Sequence, residues 1–304
     1  MVLQLQNLGR SLKFSSKLED HRRNLHALPA SLHDFRSKIS NFVSQASFLN
    51  ESGSNPLSLA GLLQCFELID VTSKALAKLA VEIDYPVSTW GGRAIENYLN
   101  FSLNLLHLLN AITSSIACLN EAKISIFHAC ENPTLSAVQK LKRIPSRNLG
   151  LDLKEETGLF VTEEKPFSEK ETVVLEALRV TKMIAYWALG LILSGFCCDV
   201  ESYKEIRRLS GGFEDSLIKG LDLRFSQMVE SKCVAKEVQE LNDILDRVPE
   251  AKRWDQEIKK LETRLQVVDN LVQDIEKQSN SLFSQVLATR NQLLDNFRLT
   301  KQNK

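Results

Sequence analysis

The sequence has no surplus of charge of either sign: 38 basic residues balance 38 acidic ones. A protein that grips nucleic acid by its phosphates needs a basic excess to displace counterions, so no nucleic-acid partner is expected. The six cysteines, Cys65, Cys118, Cys130, Cys197, Cys198 and Cys233, include no C-x-x-C pair. In a chain of 304 residues they read as reduced, mostly buried thiols of an intracellular protein. No G-x-S-x-G, P-loop or H-E-x-x-H occurs. Ser210-Gly211-Gly212 lacks a following lysine and reads as a turn. Histidine is scarce and badly spaced for metal. His21, His26 and His33 do not share one helical face, and His128 and Cys130 point apart. His107 lies in an apolar run and reads as a core or boundary residue. The expectation is therefore a protein that is not an enzyme, with no catalytic residue, no cofactor and no metal.

Glycine and proline are also few, 12 and 7 copies, so long uninterrupted helices can form. The hydrophobic pattern says that they do. Across 251–303, Ile258, Leu261, Leu265, Val268, Val272, Ile275, Ser279, Leu282, Val286, Thr289 and Leu293 recur in alternating steps of three and four, with charged and amide residues between them. A helix of about 50 residues is about 75 Å long. The polar seam residues Ser279, Thr289 and Asn296 predict looser packing in its last turns. A second seam over 92–130 comprises Ile95, Tyr98, Ser102, Leu105, Leu109, Ile112, Ile116, Leu119 and Ile126, and Ser88 or Thr89 is placed to cap that helix. A third stripe, Leu62, Phe66, Ile69, Leu76, Ala80 and Ile83, lies just before. No segment alternates as a strand does. The fold class is all-α: an elongated bundle of about five to seven helices, dominated by two long amphipathic ones.

Residues 1–30 form a basic N-terminal segment, expected to be partly disordered. Its faint likeness to an organelle transit peptide makes a plastid address a minor alternative to a cytoplasmic location. Residues 31–304 are read as a single helical bundle. A first helix starts near Ser31, and a flexible linker interrupts the bundle at about 140–168, where the charge turns from basic to acidic around Pro145, Gly150, Gly158 and Pro166. Helix resumes at Ser168, which with Glu171 has the spacing of a capping box. Further helices follow from about 201 or 214, broken or delayed by "LSGGF", and over 235–247.

One stretch, "AYWALGLILSGFCC", holds no charge. Uncharged residues 183–198 make about 24 Å of helix, short of the roughly 30 Å of a bilayer's hydrocarbon. A bundle of long amphipathic helices also needs an apolar centre. The core reading is therefore preferred. The alternative is an endomembrane-anchored regulator in contact with a membrane through 177–198, where Arg179 and Lys182 would snorkel and Cys197 and Cys198 would be candidates for lipidation. Two serines, Ser146 in "RIPS" and Ser210 in "RRLS", are candidate phosphorylation sites at breaks between helices.

The block "YPVSTWGGRAIENYLNFSLNLLHLLNAITSSIACLN" resembles the plant BYPASS family. It carries that family's P-V-S-x-W followed by a long helix and a closing L-N, here Pro86, Val87, Ser88, Trp90, Tyr98, Leu105, Leu119 and Asn120. Gly91 and Gly92 stand where the family carries charged residues. The order of helices, linker, hydrophobic segment and C-terminal leucine-rich helix is similar over most of the chain, although only the Trp90 block is specific. The resemblance implies a non-enzymatic plant developmental regulator that restrains a mobile, root-derived signal inhibiting shoot growth. A membrane segment and a plastid address are both associated with that family. On this reading the chain works through protein partners bound by its amphipathic helices, with a monomer favoured and an enzyme of small-molecule signal metabolism as the lesser alternative. Trp90, just before the long helix, is read as a structural anchor rather than a ligand-stacking residue.

Overall fold

The computed structural model describes residues 19–46, 57–131, 168–197, 200–229, 235–248 and 254–302. Among them lie eight α-helices and no strand: α1 (Glu19–Gln45), α2 (Leu59–Glu82), α3 (Gly92–Glu131), α4 (Glu169–Cys197), α5 (Val200–Leu209), α6 (Lys219–Val229), α7 (Lys236–Arg247) and α8 (Trp254–Gln302). A 3-10 turn, Val87–Thr89, precedes α3. The count exceeds the expected five to seven because "LSGGF" divides one anticipated helix into α5 and α6. Gly211 and Gly212 both take positive φ there, 73° and 75°, a conformation open to glycine at little cost.

Every seam position named on α8 from Ile258 to Leu293 is buried, and α8 lies along α2, α3 and α7. The heptad seam is thus filled from within the chain. Through Leu293 its later turns are not looser, and the side chain of Asn296 lies outside the described residues. Thr289 is buried and bonds the hydroxyl of Tyr98 on α3, and Arg290 donates to the carbonyl of Leu99 and to Ser102 at 2.9 Å. Thr289 thus meets a polar partner across the seam, whereas the buried Ser279 hydroxyl has none among the described residues.

The described helices share one hydrophobic core running from Leu28 to Leu293. Its centre is α4, which packs against α1, α2, α3 and α5. Two glycines let neighbours come close. A Cβ on Gly190 would stand 3.1 Å from the Tyr203 ring, and one on Gly195 would stand 2.8 Å from Leu62. The ends of three helices are tied together beside Gly195: its carbonyl accepts from Ala235, the Leu57 carbonyl accepts from Lys236, and Glu237 of α7 caps the Leu59 amide at the start of α2. Ser58 supplies the local cap to Gly61.

Three local expectations are corrected. The first described helix starts at Glu19, not near Ser31, and continues through Pro29. Proline breaks helices often enough to suggest a later start, yet α1 continues across it and buries Leu28, Phe35 and Ile39 in the core. Neither Ser88 nor Thr89 caps α3. Thr89 turns its hydroxyl back to the Pro86 carbonyl at 2.7 Å, and the α3 ladder starts from Gly91, whose carbonyl accepts from Ile95. His107 is exposed rather than in the core or at its boundary.

Candidate functional site

The segment between α2 and α3 forms a compact junction. Asp84 closes α2 in the left-handed region, φ 49°, and the Tyr85 amide returns to the Ala80 carbonyl, the pairing that ends many helices. Chain direction then reverses through Pro86 and the 3-10 turn. Trp90 is buried, and its indole N–H donates to the Tyr85 carbonyl at 3.1 Å. The indole edge meets Tyr98 at 6.1 Å between ring centroids. Tyr98 meets Phe101 at 6.4 Å, and Phe101 meets Tyr186 at 5.8 Å, all near-perpendicular. Edge-to-face contact is the favoured arrangement for such rings. The rings form a ladder from the Trp90 block into the hydrophobic helix α4.

At the end of the ladder, Asn104 donates to the Tyr186 hydroxyl at 3.1 Å in the buried interior. Burial pushes the Tyr186 phenol above its ordinary range, and burial does the same to Tyr98. Lys182 lies 5.9 Å from the Tyr186 ring centre, and burial lowers its ammonium to about 8. The junction also receives the start of α4. Ser168 accepts from the Glu171 amide at 3.1 Å, the serine half of the expected capping box, while the Glu171 carboxylate lies over Gly91, where a Cβ would stand 2.3 Å from it. Gly91 therefore makes room for the α4 carboxylate at the start of α3.

The uncharged stretch opening the second half of α4 lies inside the bundle. Residues 183–195 are all buried, and Leu189, Ile192 and Leu193 have no accessible surface. The faces that lipid would need are occupied by protein side chains. Two helices, Gly92–Glu131 and Glu169–Gly195, are nevertheless long and apolar enough to cross a membrane, and only the second is almost wholly enclosed. The Cys197 side chain, Cys198 and Ser146 lie outside the described residues.

Ser210 is described. Its hydroxyl bonds the carbonyls of Ile206 and Arg207 at 2.7 and 3.1 Å, closing α5. Arg207, which a phosphate there was expected to meet, donates to the buried Asp222 at 3.0 Å. Asp222 also accepts from the Tyr203 hydroxyl. A phosphate on Ser210 would therefore meet an arginine whose Nε–H is already committed to Asp222.

A second buried aspartate gives no local sign in the sequence. Asp215, in the loop after α5, has its side chain almost wholly enclosed and binds Arg36 of α1 at 2.7 Å and Arg179 of α4 at 3.0 Å. Burial works to raise its carboxyl, but the Leu217 amide, Arg36 and Arg179 outweigh it and hold the group below the usual carboxylate range. Three elements distant in sequence meet at one charge.

Reactive chemistry is sparse among the described residues. No three His, Cys, Asp or Glu converge as metal ligands. Burial raises the thiols of Cys65 and Cys130 to about 12 and about 11, away from nucleophilic character. An open cleft of about 590 Å³ between α7 and α8 is lined by both signs of charge, including Glu240, Asp243, Arg247 and Lys259. Its Arg264 is taken by Glu240 at 3.2 Å.

No protein-family model matches the chain, and no solved structure matches it. Over 115 residues it is 25% identical to "Protein BPS1, chloroplastic" of Arabidopsis thaliana, covering 38% of this chain and 32% of that protein. The similarity thus spans about a third of the relative's length. It is a distant, partial relationship of the BYPASS kind.

Proposed function

We propose that this chain is a non-enzymatic plant developmental regulator of the BYPASS type, which acts by helix-mediated protein binding to restrain a mobile, root-derived inhibitor of growth. The observation that carries this reading is the similarity to the Arabidopsis BPS1 protein. It is supported by the part that the Trp90 block plays in the bundle: residues that resemble the family form a buried ladder rather than a ligand pocket. Binding through helical faces suits a molecule with long helices and sparse reactive chemistry. The test is expression of the chain in Arabidopsis plants lacking BPS1. Restored shoot growth is expected; rescue by a Trp90→Phe variant but not by Trp90→Ala would tie it to the folded junction. Unrelieved arrest at normal protein levels sinks the proposal, and a purified chain that turns over the inhibitory signal sinks its non-enzymatic part.

A second reading, a regulator held at an endomembrane, draws on α3 and α4 both being apolar and long enough to span. The enclosure of α4 favours the cytoplasmic form with peripheral contact. Alkaline carbonate washing separates the two: a peripheral protein leaves the membrane and a spanning one stays. The relative's name carries a chloroplast label, so a fluorescent fusion of the full chain is to be scored for plastid as well as cytoplasmic signal.

A further inference from the structure

The end of α5 places a serine behind two arginines, in a window that the core does not hold. Buried Ile206 and buried Phe213 bound it. Between them Arg207, Arg208 and Gly211 are exposed, and Leu209, Ser210 and Gly212 are half-buried. Among the described residues no other serine has arginines at both the third and the second positions before it. Exposed Ser216, a few residues on, follows Glu214 and Asp215 instead.

Few bonds close this window. The amides of Ser210 and Gly212 donate to the carbonyls of Ile206 and Arg207 at 3.0 and 2.9 Å, and Gly211 donates to Arg208 at 3.1 Å. The Ser210 hydroxyl adds its own bonds to the Ile206 and Arg207 carbonyls. The last turn of a helix frays before its middle does. Gly211 and Gly212 have no side chain to anchor and already take positive φ. Opening the chain from Arg207 to Gly212 therefore leaves Tyr203, Ile206 and Phe213 in the core. It presents two cations and a hydroxyl to an enzyme whose cleft is acidic.

We propose that Ser210 is phosphorylated by a serine kinase that reads arginines ahead of its target, and that the phosphate holds the last turn of α5 open. In the transfer, the Ser210 oxygen bonds the γ-phosphorus of ATP as the bond to ADP breaks, and the hydroxyl proton passes to the kinase's base. The product has lost the O–H that bonded the two carbonyls. It is an acceptor-only group of nearly two negative charges, set at the negative end of the α5 dipole. Glu214 adds a like charge, its carboxylate lying 3.7 Å from where a Gly212 Cβ would stand. Neither arginine offsets this in the closed helix. Arg207 donates to Asp222 at 3.0 Å and Arg208 to Glu205 at 2.9 Å. Helical side chains also lean towards the N-terminus, away from Ser210. In the opened turn the phosphate faces water.

The test uses the full chain, purified without phosphate. The probe is the catalytic subunit of a cyclic-AMP-dependent kinase with Mg-ATP, and a peptide of residues 204–215 is the reference substrate. Mass mapping should find phosphate on Ser210 of the folded chain and not in Ser210→Ala. A modified peptide beside an unmodified folded chain overturns the proposal, because the window is then closed; failure of both overturns the recognition. Hydrogen exchange reads the second half. The amides of Ser210, Gly211 and Gly212 should exchange at least about tenfold faster after modification, with α3 unchanged. Ser210→Ala, which removes the hydroxyl bonds without adding charge, should speed them less. Unchanged exchange, or equal exchange in Ser210→Ala, overturns opening by the phosphate. Chain recovered from Arabidopsis plants should carry the same phosphopeptide, and its absence there overturns the assignment. None of these outcomes turns on rescue of plants lacking BPS1.

Discussion

A single indole sets the angle at which α3 leaves the junction. Trp90 fills space beside Tyr98 while its N–H is satisfied by Tyr85, so its removal leaves both a cavity and an unpaired carbonyl. Trp90→Ala should cost about 3–5 kcal/mol, read from the urea midpoint. Ser279 should behave in the opposite way. Its hydroxyl is buried in the α8 seam without a hydrogen-bond partner among the described residues. Ser279→Ala removes the orphaned group and improves helix propensity, and should stabilise by about 1 kcal/mol. Lys182 gives a pH signature. Its folded value of about 8 lies below the ordinary lysine range because of burial. Between about pH 8 and about pH 10 the unfolded chain holds this proton more often than the folded one, so Lys182 makes stability rise with pH there. Across that window the slope of melting temperature against pH should be less positive in Lys182→Met than in the wild type, whatever the buried thiols and phenols contribute to both. Asp215 acts at the acid end: its lowered pKa stabilises above the unfolded value near 4 and that stability is lost as pH falls through the folded value.

At the scale of the element, seams were legible and partners were not. The steps of three and four from Ile258 to Leu293 mark buried positions without exception, because a helix face needs only periodicity to be read. The break at Gly211 and Gly212 was legible as a break, since two glycines there take positive φ. The start of α1 was not, because Pro29 is a local signal against helix that tertiary burial of Leu28 and Phe35 overrides. Nor was the tightness of α8 around Thr289 and Arg290. That depends on Tyr98 and Leu99, far away in sequence, meeting Thr289 and Arg290. The glycines of α4 carried an ambiguous message: Gly190 and Gly195 suit a membrane helix, yet each marks a close approach of Tyr203 or Leu62. Gly190→Val should cost about 1–3 kcal/mol by overpacking against Tyr203, despite glycine's poor helix propensity, as measured by thermal unfolding. The Tyr203 ring has little room to yield, since it rests on Phe225 at 4.8 Å and Phe213 at 6.2 Å.

For the whole molecule, the question raised by the uncharged stretch becomes one of enclosure. Leu189 has no accessible surface, so Leu189→Lys should bury an unpaired charge, cost several kcal/mol and yield a protease-sensitive chain. A soluble Leu189→Lys protein as protease-resistant as the wild type would show that the residue is not enclosed. The same enclosure sets the order of events at the ribosome. Helices α1, α2 and α3 are synthesised first, yet the helix packed against all three is α4. Until residue 197 has cleared the exit tunnel, Leu62, Leu105 and their neighbours have no apolar centre to close on. The nascent chain therefore spends the interval of translation between Glu131 and Cys197 with the faces of α1, α2 and α3 that meet α4 open to water, and the α3 face that meets α8 stays open until the last helix is made.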